Sequence, residues 1–283
     1  MKTMRMFETR GLVLILGAVL GIGVNLGFAS AAFARSLSVI VNPDGKVTYL
    51  GTLGGPFTEA WGINDSGQVV GESDTEPNGF THAFITGPNG KGMTDLGTLG
   101  GGFSGAFGIN DSGQVVGYSD TADVIQHAFI TGPSGKGMTD LGTLGGTASW
   151  AYGINDSGQV VGTRSTAGAF ITGPDGKGVT DLETASSAYG INNSGQVVGG
   201  DGRAFITGPN GKGMTDLGAL GETYGFSEAR GINDSGQVVG YSYYSADGRP
   251  HAFITGPDGK GMTDLGTLAG LGVGPTASTI VDR

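Results

Sequence analysis

GINDSGQVVG, residues 62–71, decides the fold, because copies of it return at 108–117, 153–162, 190–199 and 231–240. The copy at 190–199 differs only in having Asn193 where the others have Asp. Ile63 and the pair Val69–Val70 are β-branched strand formers, and the Asp-Ser-Gly segment between them can turn because Gly67 tolerates a positive φ. The repeated stretch is therefore predicted to be a β-hairpin.

A second motif, HAFITGPNGKGMTDLGTLGG, alternates with the first. It begins at residues 82, 127, 169, 204 and 251, and a worn copy spans residues 38–53. Each copy is predicted to form two short strands, joined by a Gly-rich loop that carries one Pro and exposes its Lys. The two motifs together give four strands per repeat.

The repeat length predicts the architecture. Successive copies are 46, 45, 37 and 41 residues apart, which is the length of a four-stranded propeller blade and too long for a β-solenoid coil. We predict an all-β fold, a β-propeller, with strands AWGIN, GQVVG, HAFI and MTDLGTL ordered from the axis outwards. Because one blade cannot bury both of its faces, the blades must stack around the axis.

The two ends of the chain predict how the ring closes. The hairpin at 37–53 lacks inner strands, and residues 278–282 align with an inner strand. We predict six blades, with a three-stranded closing blade shared by the two termini. Five complete blades with the ends packed outside is the alternative. On either prediction, residues 35–283 form a single propeller domain.

The first 34 residues have the pattern of a signal peptide. Lys2, Arg5 and Arg10 make a basic start, residues 11–28 are apolar, and Ala32-Phe33-Ala34 has the small residues of a cleavage site. We predict a secreted chain, extracellular or periplasmic, with no stable membrane insertion after the signal is removed. An uncleaved membrane anchor is the alternative.

Composition excludes several kinds of function. The formal charge of −10 argues against a nucleic-acid partner, which would need a basic face. The chain has no cysteine, which excludes disulfides and thiol chemistry. We expect no cofactor.

The motifs also resemble a known family. HAF followed by DLGTLGG and GINDSGQVVG is similar to the HAF-repeat family of probable extracellular bacterial proteins, and the resemblance covers residues 36–268. Gly168 and Arg203 depart from it by replacing the histidine. The blade order also looks like that of NHL-type propellers. The resemblance implies export and a repeated β-fold, and it implies no activity or residue roles.

The candidate ligand-binding residues precede each GIN and follow an Ala: Trp61, Phe107, Tyr152, Tyr189 and Arg230. On inner strands they should lie near the axis or between blades. They could be partly exposed aromatic platforms, one per blade, that stack on sugars or hold a peptide, with several weak sites acting together. The alternative is interblade packing, since aromatic residues supply much buried area.

Other polar residues give weaker signals. The repeated Asp95, Asp140, Asp181, Asp216 and Asp264 are expected to bond neighbouring backbone or solvent. Symmetry should spread His82, His127 and His251 around a circle, so no metal site is predicted. One predicted loop is acidic, with Glu72, Asp74 and Glu76. Another is aromatic and basic, with Tyr241, Tyr243, Tyr244 and Arg249. The predicted blade crossings contain Trp150, Glu222, Tyr224 and Glu228.

These observations favour a non-enzymatic binding protein. We predict that the chain binds a carbohydrate or protein ligand through its loops and blade edges. The alternative is a glycoside hydrolase or lyase that acts on a polysaccharide, in which Glu72 or Glu76 is paired with Glu222 or Glu228. A purely structural surface or matrix protein is a third reading.

Overall fold

Six antiparallel sheets make up the computed structural model. It describes residues 14–20, 35–41, 47–76, 79–182, 185–200, 202–221, 225–244 and 248–267. Five of the sheets have four strands each and are named blades 1 to 5 in chain order, and the sixth, which we call the closing sheet after its predicted role, has three. The predicted all-β fold and the predicted strand order within a blade are confirmed.

The strands of each blade run inner, second, third and outer along the chain. The inner strands are β4 (Thr58–Ile63), β8 (Gly100–Ile109), β12 (Ser149–Ile154), β16 (Ala188–Ile191) and β20 (Ser227–Ile232). The second strands are β5 (Val69–Asp74), β9 (Val115–Thr121), β13 (Val160–Arg164), β17 (Val197–Gly200) and β21 (Val238–Tyr244). The third strands are β6 (Thr81–Thr86), β10 (Gln126–Thr131), β14 (Gly168–Thr172), β18 (Ala204–Thr207) and β22 (Arg249–Thr255). The outer strands are β7 (Met93–Gly97), β11 (Met138–Gly142), β15 (Val179–Asp181), β19 (Met214–Gly218) and β23 (Met262–Gly266).

The closing sheet has the order β1 (Leu14–Leu20), β2 (Arg35–Val41) and β3 (Val47–Tyr49). β2 and β3 are the worn hairpin that the sequence predicts. The additional strand, β1, comes from the segment that the sequence assigns to a signal peptide, and it pairs with β2 from Leu14–Val41 to Leu20–Arg35. The C-terminal strand predicted at 278–282 lies outside the described residues.

The hydrophobic core lies between neighbouring blades. The Phe of each third strand is almost fully buried and packs with the valines and isoleucines of two adjacent blades. Phe129 of blade 2, for example, packs with Val70 and Ile85 of blade 1. Because the apolar side chains meet only when blades stack, this core explains why single repeats could not be stable.

The Asn-Asp-Ser-Gly turns join the blades at one end of the inner strands. Asn110 Oδ1 accepts hydrogen bonds within its own turn from Gln114 N and Ser112 Oγ, at 2.9 and 2.8 Å. Its Nδ2 donates to the carbonyl of Asn155 in the next blade, at 3.1 Å. The same bond between blades recurs from Asn64, Asn155 and Asn192. The repeated asparagine therefore closes its own turn and ties it to the following blade.

Within the described residues, we find no helix long and apolar enough to cross a membrane.

Candidate functional site

The two ends of the inner strands present different faces. One end has the Asn-Asp-Ser-Gly turns and the Gly-Pro-x-Gly-Lys-Gly turns, which bond to each other, as Gly90 N does to Gly67 O at 2.9 Å. We call it the turn face. The opposite end, the loop face, carries the connections from second to third strands and from outer strands to the next inner strand. These connections vary in length and sequence, whereas each kind of turn keeps its length and changes at a single position. Any specific recognition is therefore expected at the loop face.

The five predicted ligand-binding residues form one continuous row at the axis. A β-bulge interrupts every inner strand at this position, so that Trp61, Phe107, Tyr152, Tyr189 and Arg230 are each the extra residue. A bulge turns its extra side chain away from the regular alternation. Because the inner strands of successive blades contact one another, these side chains meet around the axis.

Ring contacts run along the whole row. Ring centroids are 5.9 Å apart for Trp61–Phe107, 5.2 Å for Phe107–Tyr152 and 5.3 Å for Tyr152–Tyr189. The guanidinium of Arg230 then lies 4.2 Å from the ring centroid of Tyr189. All five residues are partly buried. They are one connected surface, where the sequence suggests five separate platforms.

The glycine after each of these residues allows the close contact. A Cβ on Gly62 would lie 2.9 Å from the carbonyl oxygen of Phe107 in the next blade, and one on Gly108 would lie 2.9 Å from that of Tyr152. The inner strands could not come so near with any larger residue here.

Blade 5 holds a buried carboxylate beside the row. Glu228 lies two residues before the bulge and is 7% exposed. Its Oε1 is 2.8 Å from Nη2 of Arg230, and its Oε2 accepts a hydrogen bond of 2.6 Å from the hydroxyl of Tyr241. Burial raises the pKa of Tyr241 to about 12, and the bond to Glu228 adds to this shift, so the phenol keeps its proton near neutrality. A cation and a phenol thus compensate the buried charge.

Blade 1 has two carboxylates and no such cation. Glu59 lies two residues before its bulge, as Glu228 does, and its partner across β4 and β5 is Glu72. The Tyr118 hydroxyl of blade 2 donates a hydrogen bond to Glu72. Gly105 leaves room for this contact, since a Cβ there would lie 2.7 Å from both Glu72 Oε2 and Tyr118 Cε1.

The electrostatics of blade 1 reflect this lack of compensation. Burial, the neighbouring Glu59 carboxylate and, to a smaller extent, Asp74 raise the pKa of Glu72, and the hydrogen bond from Tyr118 lowers it. The net result is a pKa of about 7. Burial also raises the pKa of Glu59. At neutral pH the pair therefore holds, on average, part of a proton that two isolated glutamates would have released.

The repeated aspartates have partners that the sequence analysis missed. We expected bonds to backbone or solvent, and Gly97 N does donate to Asp95 Oδ1 at 2.7 Å. Each aspartate also pairs with a basic side chain of its own blade: His82 with Asp95, His127 with Asp140, Arg203 with Asp216 and His251 with Asp264. In blade 3, where Gly168 replaces the histidine, Arg164 of the second strand binds Asp181 at 2.9 Å. The sequence could have predicted these pairs from their constant spacing. The basic residue lies thirteen residues before the aspartate in four blades, at His82, His127, Arg203 and His251.

The carboxylates of the predicted glycosidase pairs have different surroundings. Glu228 is paired with Arg230, Glu76 is exposed, and Glu72 lies beside Glu59. Glu222 lies outside the described residues, as does Tyr224. Trp150 and Glu228 belong to inner strands instead of crossings. In the described part of the chain, no group of three or more His, Cys, Asp or Glu side chains could hold a metal ion.

Exposed aromatic side chains lie on the loop face at blades 1, 2 and 5. Phe80 and Phe103 are 56% and 44% exposed, and their rings meet edge to face at 5.4 Å. Phe226 and Tyr243 on blade 5 form a similar pair at 5.6 Å. The indole nitrogen of Trp150, on blade 3, donates to Gln126 Oε1 at 2.9 Å. The loop face thus combines apolar rings at its rim with carboxylates and phenols nearer the axis.

Solved structures with a similar arrangement of sheets show which fold this is. The chain superposes on a structure of the nidogen/laminin complex with a TM-score of 0.53 and 12% identity, over 90% of this chain and 94% of that one. The β-propeller domain of the trilobed protease from Pyrococcus furiosus gives 0.55 and 12%, over 82% and 75%. The chain has the fold of a β-propeller.

A third similar structure, TolB from Acinetobacter baumannii, gives a TM-score of 0.54 and 12% identity, over 82% of this chain and 60% of that one. At these identities the similarity shows the fold alone. No protein-family model and no curated protein matches the sequence. Membership of the HAF-repeat family therefore stays a prediction.

Proposed function

We propose that this β-propeller is a non-enzymatic binding protein whose axial row, on the side of the loop face, binds a carbohydrate or protein ligand. The continuous row of partly exposed rings from Trp61 to Tyr189, ended by the Arg230 guanidinium, carries the proposal. Aromatic rings that already touch each other offer a wide apolar surface at little cost in side-chain entropy, while the phenols and carboxylates beside them supply polar contacts.

Alanine substitutions in the row test this function. Trp61→Ala and Tyr152→Ala should each weaken binding of a ligand found on a glycan array or in a purified protein panel by tenfold or more. Tyr49→Ala is the matched control, because Tyr49 is 63% exposed on the closing sheet, away from the row. If both row variants bind as the wild type does, the row is not the site. If they only lower the midpoint of thermal unfolding, the rings serve packing.

We also propose export, in keeping with the HAF-repeat resemblance. Cleavage after Ala34 would remove β1 and leave the edge of β2 unpaired, and residues 278–282 could supply the missing strand. N-terminal sequencing of the protein recovered outside the cytoplasm should begin at Arg35. A first residue before Leu14 would show that the apolar segment is retained.

An enzyme that acts on a polysaccharide is the second candidate, and it rests on Glu72. A carboxyl group with a pKa of about 7 is suited to general acid catalysis. Turnover of a polysaccharide that is lost in Glu72→Gln and retained in Glu76→Gln would replace the binding function with this one.

A further inference from the structure

Blade 5 shows what the axial site does with a cation. The Arg230 guanidinium stacks on Tyr189 at 4.2 Å and also lies against Glu228, which is bonded by Tyr241. An aromatic face and a carboxylate, itself bonded by a phenol, thus hold one guanidinium. This is a guanidinium site that a residue of the chain itself fills.

Blades 1 and 2 repeat this arrangement without the cation. Glu59 takes the repeat position of Glu228, and the residue paired with it across the two strands is Glu72, where blade 5 has Tyr241. Tyr118 supplies the phenol from blade 2, and its ring stacks on Phe107 with centroids 5.7 Å apart. At the bulge, where blade 5 has Arg230, blade 1 has Trp61.

The other basic side chains that the structure describes, which do not include that of Arg35, pair with acidic residues, belong to blade 5 or lie on the turn face. Arg164, Arg203 and Arg230 pair with acidic residues of blades 3, 4 and 5, and Arg249 lies on blade 5. The three histidines pair with the aspartates of outer strands. The described lysines all lie on the turn face: Lys91, Lys136, Lys177, Lys212 and Lys260. Glu59 and Glu72 therefore supply the carboxylates of a cation-binding site, and no basic side chain that the structure describes is paired with them.

We propose that the site beside the axial row at blades 1 and 2 binds an arginine side chain of a protein ligand, with Glu59 and Glu72 taking the guanidinium and the rings of Phe107 and Tyr118 flanking it. This inference rests on the proposed binding function and names its ligand class. Arginine is favoured over lysine because a planar guanidinium can bond two carboxylates and can also stack on a ring, as the guanidinium of Arg230 stacks on Tyr189.

Binding should depend on pH. A bound guanidinium favours the ionised form of Glu72, so the site must lose its proton to bind. With a pKa of about 7, the ionised fraction of Glu72 rises about tenfold between pH 6 and pH 8. Glu59 and Asp74 raise the pKa of Glu72, and the Tyr118 phenol, whose own pKa is about 12, stays protonated over this range and opposes them. Affinity for the cation should therefore increase by about the same factor.

The test uses Nα-acetyl-arginine amide and its neutral isostere, Nα-acetyl-citrulline amide, titrated into the protein and followed by two-dimensional NMR. The arginine probe should bind at least tenfold more tightly than the citrulline probe, and about tenfold more tightly at pH 8 than at pH 6. Glu72→Gln should remove this preference and its pH dependence, whereas Glu76→Gln, which changes an exposed carboxylate of the same blade, should keep both.

Equal affinity for the two probes, or no saturable shift with the arginine probe, would overturn the inference. The binding function is judged separately. If a glycan or protein ligand is lost in Trp61→Ala and Tyr152→Ala but bound normally by Glu72→Gln, the axial row is a binding site and the arginine assignment is wrong.

Discussion

Replacing Glu72 with Gln should stabilise the protein at neutral and alkaline pH and have little effect in acid. Glu72 has a pKa of about 7 in the folded protein, against an ordinary value of 4.5 for a glutamate exposed to solvent. Folding therefore takes up a proton between these two values, and the free energy of unfolding falls as pH rises from about 4.5 to 7. Above that window the penalty is constant.

The magnitude follows from the shift. A difference of about 2.5 pKa units corresponds to a ceiling of about 3 kcal/mol, at 1.36 kcal/mol per unit. Because Glu72 is only partly buried, water and counter-ions should reduce this, and we expect about 1–2 kcal/mol. Gln keeps the shape and can still accept the bond from Tyr118, so the variant should lose the charge and little else.

Urea denaturation of the wild type and Glu72→Gln at pH 4.5 and pH 8 measures this effect. The stability difference between the two proteins should grow in favour of the variant by about 1–2 kcal/mol from the lower to the higher pH. For Glu76→Gln, a surface change in the same blade, it should stay within about 0.5 kcal/mol. A difference for Glu72→Gln that does not change with pH would refute the desolvated carboxylate pair in blade 1.

Further predictions concern contacts within and between blades. Asn193→Asp should destabilise the protein by about 1–3 kcal/mol in urea, and less in high salt, because the amide of Asn193 donates to the carboxylates of both neighbouring turns. Arg203→His should retain most of the stability that Arg203→Ala loses, since His pairs with the equivalent aspartate in three other blades; equal losses would show that the pairing with Asp216 contributes nothing. Gly162→Ala should lower the thermal midpoint by several degrees or prevent folding, because the added Cβ would lie 2.0 Å from the carbonyl oxygen of Trp150; an unchanged midpoint would contradict the close strand pairing.

The sequence predicted the repeated strands well, because hydrophobic alternation and turn residues are local properties. The strand order within a blade could be predicted because every repeat has the same motifs in the same order. What could not be predicted depends on register. Glu59 and Glu72 are thirteen residues apart in the chain and become partners only once the bulge at Trp61 sets the pairing of β4 with β5. The same applies to Arg164, which reaches Asp181 from another strand.

The closing sheet shows a different limit. Residues 14–20 are apolar enough to read as an export signal, and they are also able to extend a sheet, so local composition does not distinguish the two uses. The five candidate site residues lie on inner strands, as the sequence predicts, and their role in ligand binding stays a prediction. Their mutual contact was not predicted, because it follows from the distance between inner strands, which the intervening glycines set.

The asparagine bond between turns points always the same way around the axis, from each unit to its successor. Blades 1 to 4 thus present the same donor to the next blade, and blades 2 to 5 present the same acceptor to the preceding one. A gene duplication or deletion that adds or removes a whole unit creates new junctions whose partners already match. Such a chain can change its number of blades in one genetic step and keep the hydrogen bond between neighbouring turns.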